Sequence, residues 1–292
     1  MKLINIPPRD FLKAEIRNGY EITEHMKKVW AVQLDMVQEL QRICQKYNLS
    51  MWADGGTMLG AIRHGGYIPW DDDIDIAMPR ADYDKLQEVA PKELPAPFFF
   101  QTIHTDPGYT HRHAQIRNST TCVRGEKQTS YSFNCGIFID IFPFDAMPSN
   151  PRGFKRHYNK VSSLKRRIRF TQKCLSHFPK GVYMFCRDHI PAFSDERLFC
   201  KFENLLRSIT PCRASIWVNI ACNHRSPLQQ TFCYKETFWV DFEYIKLPVP
   251  KEYDTLLTIQ YGDYMTPVKA PPTHGSMVFD TDRSYKEVLK EW

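Results

Sequence analysis

The 292-residue chain lacks the features that would carry it across a membrane, stiffen it outside the cell or wrap it around a structural zinc ion. No run of about 20 apolar residues is long enough to span a bilayer, and the first 20 residues interleave apolar side chains with Lys, Arg, Asp and Glu instead of forming a signal-peptide core. The nine cysteines stand singly between Cys44 and Cys233, with an odd total and no C-x-x-C pair. That is the usage of reduced intracellular thiols, not of a disulfide frame or a zinc knuckle. Internal repeats and low-complexity tracts are also missing. Together these absences predict a globular cytoplasmic protein with no transmembrane segment, and they leave peripheral contact with the inner face of a membrane open. With 42% hydrophobic and 13% aromatic residues, the chain can bury a sizeable core as one large domain or two packed ones.

Charge of one sign is not in large excess. The 39 Lys and Arg against 33 Asp and Glu leave +6, which favours anionic partners such as phosphates without calling for nucleic acid. One basic cluster, Lys165 to Arg169, continues through Phe170 and Leu175 at helical spacing. A solvated helix face is its simpler meaning, and a lipid-surface or acceptor-binding patch is the alternative.

Apolar residues from Met26 to Ile43 recur at near-helical spacing, which predicts an amphipathic helix over 21–47 closed by Asn48. Met51 to Ala53 reads as a strand, Gly55-Gly56 as a turn, and Thr57 as the start of a helix that stops at Gly65-Gly66. Asp71 to Met78 alternates as a strand, and Arg80 to Tyr83 opens another helix. After a Pro-rich link over 91–97, strands are expected near Phe98–Phe100, over Ala114–Arg117, and over Gly136–Phe142, where Pro143 ends the run. Residues 151–207 are mainly helical, basic and aromatic, and the remainder is loop-rich and mixed. The fold class is therefore mixed α/β, of the α+β kind.

Two acidic segments carry the chemistry. Residues two apart on a strand face one side, so Asp73 and Asp75 project together while Ile74 and Ile76 enter the core. Paired carboxylates repel unless a cation lies between them, and hard oxygen ligands of this kind suit Mg²⁺ or Mn²⁺. Asp140 interrupts an apolar strand and is the third acid. A calcium loop starting at Asp71 fails, because its sixth position is Ile76 and its twelfth Asp82. A D-x-D glycosyltransferase remains a rival for Asp73-Ile74-Asp75 alone. Gly55, Gly56 and Thr57 are placed to let backbone N–H groups approach a phosphate at a helix start, and what lends weight to them is their order: cradle, helix, paired acids, later acid.

The stretch Asp54-Gly-Gly-Thr-Met-Leu-Gly-Ala-Ile-Arg-His64, continued by Ile68-Pro-Trp-Asp-Asp-Asp-Ile-Asp-Ile76, resembles the signature of the LicD family within the polymerase-beta-like nucleotidyltransferase superfamily. Gly136 to Pro143 is similar to that family's third-acid strand, and Tyr261-Gly-Asp-Tyr-Met-Thr-Pro267 with His274 to its C-terminal motif. The resemblance implies a nucleotidyltransferase-like core sheet flanked by helices over 20–148 and a helical, loop-rich acceptor-side region over 149–292, forming one LicD-type unit. It also implies transfer of phosphocholine or a similar substituted phosphate from CDP-choline or a related CDP-linked donor to a hydroxyl of a glycan or lipid-linked glycan, such as lipopolysaccharide or teichoic acid. Relatives of the fukutin type imply CDP-ribitol instead. On this reading Asp73, Asp75 and Asp140 are the metal-binding and catalytic acids, and Gly55, Gly56 and Thr57 the phosphate loop. Arg63 and His274 contact the donor, with Arg80, Arg117 and His64 as further candidates. Trp70, Tyr261 and Tyr264 offer an aromatic surface, and Trp52 packs in the core. The alternative is a nucleotidyltransferase or glycosyltransferase using a different nucleotide donor.

Overall fold

A computed structural model describes residues 1–106, 108–125, 133–175, 195–210, 216–218, 229–269 and 277–291, together with 182 and 185. A hairpin of β1 (Glu15–Arg17) and β2 (Tyr20–Ile22) precedes α1 (Glu24–Tyr47). Then come β3 (Trp52–Ala53), α2 (Gly55–His64), β4 (Asp75–Pro79), α3 (Arg80–Glu93), β5 (Phe98–Gln101), β6 (Ala114–Asn118), β7 (Cys122–Gly125) and the long β8 (Ile137–Met147). Helices α4 (Pro151–Leu175) and α5 (Asp195–Arg207) lead to β9 (Ile216–Val218) and β10 (Gln229–Gln230). The chain closes with a hairpin of β11 (Thr237–Phe242) and β12 (Ile245–Pro250), helix α6 (Tyr253–Tyr261), β13 (Met277–Asp280) and the single turn α7 (Tyr285–Val288).

The contacts divide the chain into two compact units, Met1–Pro143 with Cys233–Trp292, and Phe144–Phe232. The last 60 residues thus return to the unit that opens the chain. In the first unit the sheet order is β3-β4-β8-β6-β5, with β3 antiparallel to β4 and β6 antiparallel to both β5 and β8. In the second, Val161 and Ile168 of α4 and Leu198, Phe199, Phe202 and Leu206 of α5 are buried as the two helices pack together.

Helix α1 is the first unit's central strut. Thr23 caps it by accepting the Met26 N–H at 3.2 Å, and Asn48 ends it in the left-handed region at φ 53°. Every residue from Val29 to Val37 is buried, so this stretch is enclosed on all sides and not merely on one face. Each Val, Leu or Ile sealed there contributes roughly 1.5–3 kcal/mol of transfer free energy.

Three local expectations are corrected. Gly55 and Gly56 are the first two residues of α2, not a turn before it. Regular strand begins at Asp75, so Asp71 to Asp73 form a loop held by side chains of α1 rather than by a neighbouring strand. Strand β8 passes through Pro143. The missing N–H costs nothing there, because pairing with β6 stops at Ile141 and pairing with β9 begins at Asp145.

Candidate active site

The acidic loop is built from behind. Trp30 Nε1 donates to the Asp71 carbonyl at 3.1 Å and Gln33 Nε2 to the Asp72 carbonyl at 2.7 Å. Gln33 Oε1 in turn accepts from the Tyr67 hydroxyl at 2.9 Å, and the Tyr67 ring stacks on Trp30 with centroids 4.3 Å apart. The turn preceding the loop is locked from another side, by Glu243, which accepts from the Tyr67 N–H at 3.0 Å and from Arg17 Nη1 at 2.6 Å. With its backbone occupied this way, the loop gathers carboxylates: one oxygen each of Asp71, Asp72 and Asp73 lie within 4.8 Å of one another, the one such acidic group among the described residues.

Crowding shows in their acidity. Burial, reinforced by Asp73 and Asp72, pushes the Asp71 carboxyl up to about 8. Asp75 is raised well above the ordinary carboxylate range by burial and then by the negative charges of Asp73, Asp140, Asp54 and Asp71. Carboxylates whose pKa is raised by burial and by one another's charge are relieved by a cation, and an all-oxygen set fits Mg²⁺ or Mn²⁺. The residues therefore suit the divalent ion that their chemistry implies.

The start of α2 abuts these acids. Gly55 has φ +51°, a left-handed conformation that glycine adopts without strain. A Cβ there would lie 3.4 Å from Asp75 Oδ2 and 3.8 Å from the Tyr261 hydroxyl, and one on Gly56 would lie 2.9 Å from Asp71 Oδ2. The first N–H groups of a helix have no intrahelical acceptor, so an anion seated here meets donors from α2 and the acids at its flank. Thr57 Oγ1 accepts the Asp75 N–H at 2.9 Å, tying helix to strand. Burial and the surrounding carboxylates raise the pKa of Tyr261, so its hydroxyl stays a donor.

Asp140 stands on β8 beside β4, its N–H donating to the Ile74 carbonyl at 2.8 Å. His113 Nε2 and Gln115 Nε2 reach its Oδ1 at 2.8 and 2.6 Å. A carboxylate oxygen can only accept, so this imidazole nitrogen carries hydrogen. Both donors converge on Oδ1 and leave Oδ2 for another proton or ligand. Burial pushes this carboxyl up, but the His113 charge and the two hydrogen bonds outweigh it and hold the pKa below the ordinary value. Gln115 is oriented in turn by Arg117, whose other nitrogens donate to Gln101 Oε1 at 2.6 Å and the Gly136 carbonyl at 2.7 Å.

The sequence profile of the LicD/FKTN/FKRP nucleotidyltransferase-domain family matches residues 48–191, a span that contains Gly55, Gly56, Asp71 to Asp73, Asp75 and Asp140. Lipopolysaccharide cholinephosphotransferase LicD of Haemophilus influenzae is 29% identical over 250 residues, covering 82% of this chain and 89% of that protein. Both matches support assignment to the LicD family. Human ribitol 5-phosphate transferase FKRP is 40% identical over 94 residues, 32% of this chain and 16% of that protein, and its mouse counterpart is 29% identical over 94 residues.

The residues singled out from sequence fall into distinct places. Asp73 sits in the metal-sized group with Asp71 and Asp72, and Asp75 feels the negative charges of Asp73, Asp140 and Asp71 beside it. Asp71 lies two residues before Asp73, so the same period that selected Asp73 and Asp75 also points to it. Thr57 uses its hydroxyl inside the protein. Arg63 donates to the Tyr264 carbonyl at 2.7 Å and to His64 Nε2 at 2.9 Å, joining α2 to the Tyr261-Gly-Asp-Tyr segment. Arg117 is buried and serves Gln115, not a surface phosphate. Arg80 lies against Tyr83, 5.1 Å from its ring centroid. Trp52 is buried, with its Nε1 on Thr237 Oγ1 at 2.9 Å, and Trp70 meets Tyr20 edge-on. His274 lies outside the described residues. Among the residues that sequence reasoning passed over, Gln33 is the most legible, a polar side chain in the apolar stripe of α1. His113 lies just before β6 and Gln115 within it, and register sets Gln115 opposite Asp140.

Proposed function

We propose that this chain transfers phosphocholine, or a similar substituted phosphate, from a CDP-linked donor to a hydroxyl of a cell-surface glycan and releases CMP. The observation that supports it is the seating of Asp71 and Asp75 against the glycine-led start of α2, with Asp72 and Asp73 gathered beside Asp71. The diphosphate lies on the α2 N–H groups with the Tyr261 hydroxyl donating beside them. Asp71 and Asp73, with Asp75 adjoining, hold Mg²⁺ or Mn²⁺, and the chemistry such an ion supplies when bound is neutralisation of the diphosphate. Asp140, kept anionic by His113 and Gln115, takes the proton of the acceptor hydroxyl. That oxygen bonds to the phosphorus carrying the head group, the bond from this phosphorus to the oxygen of CMP breaks, and CMP leaves with the electron pair. Positioning and charge stabilisation supply most of the rate.

The similarity to a cholinephosphotransferase over most of the chain favours choline as head group, and the shorter match to ribitol 5-phosphate transferases makes ribitol the second choice. The test is product analysis with purified protein, glycan acceptor and CDP-choline or CDP-ribitol. CMP release that depends on acceptor and falls at least about a hundredfold in Asp73→Asn and Asp71→Asn, with melting temperatures kept, is the expected result. Pyrophosphate from CTP, or a nucleoside diphosphate from a nucleotide sugar, would transfer the reading to nucleotidyl or glycosyl transfer.

A further inference from the structure

Helix α4 concentrates the positive charge of the molecule. It holds nine of the chain's 39 Lys and Arg and none of its 33 Asp and Glu, so outside it carboxylates outnumber cations. His157, Val161, Lys165, Ile168 and Thr171 are buried at three- and four-residue spacing and define its inner stripe. At about 100° per residue, Arg152, Arg166 and Phe170 stand on the opposite side, with Lys155, Arg156 and Arg167 flanking them. All six are exposed, and Phe170, between basic neighbours, leaves 68% of its surface to solvent.

Solvated helix faces interleave both signs, because acid and base four residues apart stabilise a helix and like charges at that spacing oppose it. Here Arg152 and Arg156, and Arg156 and Lys160, are like-charged pairs four apart. Arg152, Lys155, Arg156, Lys160, Arg166 and Arg167 make no ion pair among the described residues. Self-repulsion of this kind is relieved by an external array of negative charge. The face runs along a helix about 37 Å long, its cations lie side by side, and it carries one exposed apolar ring, Phe170, toward its C-terminal end. A strand of nucleic acid is held by successive stacking platforms and a groove, neither of which one phenylalanine provides. A planar lattice of phosphates over an apolar layer matches both the cations and the ring.

We propose that α4 docks the protein on an anionic phospholipid surface, with its Lys and Arg on the headgroup phosphates and Phe170 entering the acyl boundary. The proposal does not rest on the reaction proposed for the acid-lined site. Each basic residue near such a surface strengthens partition about fivefold, and salt screens the attraction.

Co-sedimentation of the full chain with vesicles tests the proposal, using pure phosphatidylcholine against an equal mixture with phosphatidylglycerol, in dilute and in concentrated salt. Binding to the anionic vesicles at least tenfold tighter than to neutral ones, abolished by salt, is expected. Arg166→Glu with Arg167→Glu should weaken it at least tenfold, and Phe170→Ser severalfold, with thermal melting confirming that each variant is folded. If the double reversal melts early, Lys155→Gln with Arg156→Gln takes its place. Equal binding to neutral vesicles, no binding to either, indifference to the charge variants, or tighter binding to a single-stranded RNA than to anionic vesicles would overturn the proposal.

Discussion

Gly56 touches the acid cluster through the absence of an atom. Its backbone is ordinary helix, so alanine there is acceptable to α2, yet the added Cβ would stand 2.9 Å from Asp71 Oδ2, the far end of a side chain that can swing away. Gly56→Ala is therefore expected to leave the melting temperature of the metal-free protein within a degree or two, while weakening Mg²⁺ binding about tenfold or more. A calorimetric Mg²⁺ titration of the variant reads this directly, and wild-type affinity would show that Asp71 is no ligand. Asp140 illustrates the complementary case. Burial raises its pKa, and His113 and Gln115, just before and on β6, hold it below the ordinary value. Asp71 was within reach of the alternation argument. The identity of the donors to Asp140 was not, because it depends on which strand lies beside β8.

At the scale of elements, α1 does two jobs with one sequence. Its apolar residues seal the core, and Trp30 and Gln33 hold the two carbonyls of the acidic loop. Gln33→Met keeps the volume but leaves the Asp72 carbonyl and the Tyr67 hydroxyl without their partner. A loss of about 1–3 kcal/mol in urea unfolding is expected, with Mg²⁺ affinity down about tenfold or more as the loop relaxes. Unfolding midpoints at unchanged slope measure the first effect, and retention of full metal affinity would show that the loop holds its shape without α1. A polar residue inside an apolar stripe was visible in the sequence, but its partner lies about 39 positions away and only folding brings the two together.

For the molecule as a whole, the raised acids make stability depend on pH and metal together. Asp71 titrates near 8 and Asp75 also lies well above the unfolded value of 3.8. Between the ordinary carboxylate range and about pH 8 the metal-free native state therefore holds protons that the unfolded chain has lost, and its stability falls as pH rises through that window. Asp140, with its lowered pKa, contributes the other way: its stabilisation is present above the ordinary range and is lost as pH falls through its native value. A divalent ion displaces the protons of Asp71 and Asp75, so the rise in melting temperature that Mg²⁺ causes over EDTA should grow between about pH 6 and pH 8. Scanning calorimetry across that range checks it, and a Mg²⁺ effect independent of pH would mean that these acids do not hold the ion.

Sequence alone determined the parts of this protein that depend on local periodicity and residue chemistry. The Asn48 stop of α1, the apolar run around Asp140, the glycine-to-acid order from Gly55 to Asp75 and the family could all be read in one dimension, because helix caps, strand alternation and motif spacing are properties of neighbouring residues. The tertiary structure alone decided which acids gather, that Arg117 serves Gln115 within the fold, that β8 runs on past Pro143, and that the final segment returns to the first unit. Each of these depends on partners far apart in the chain, and the hydrogen bonds and electrostatic repulsions between them exist only once the folded backbone has set their distances.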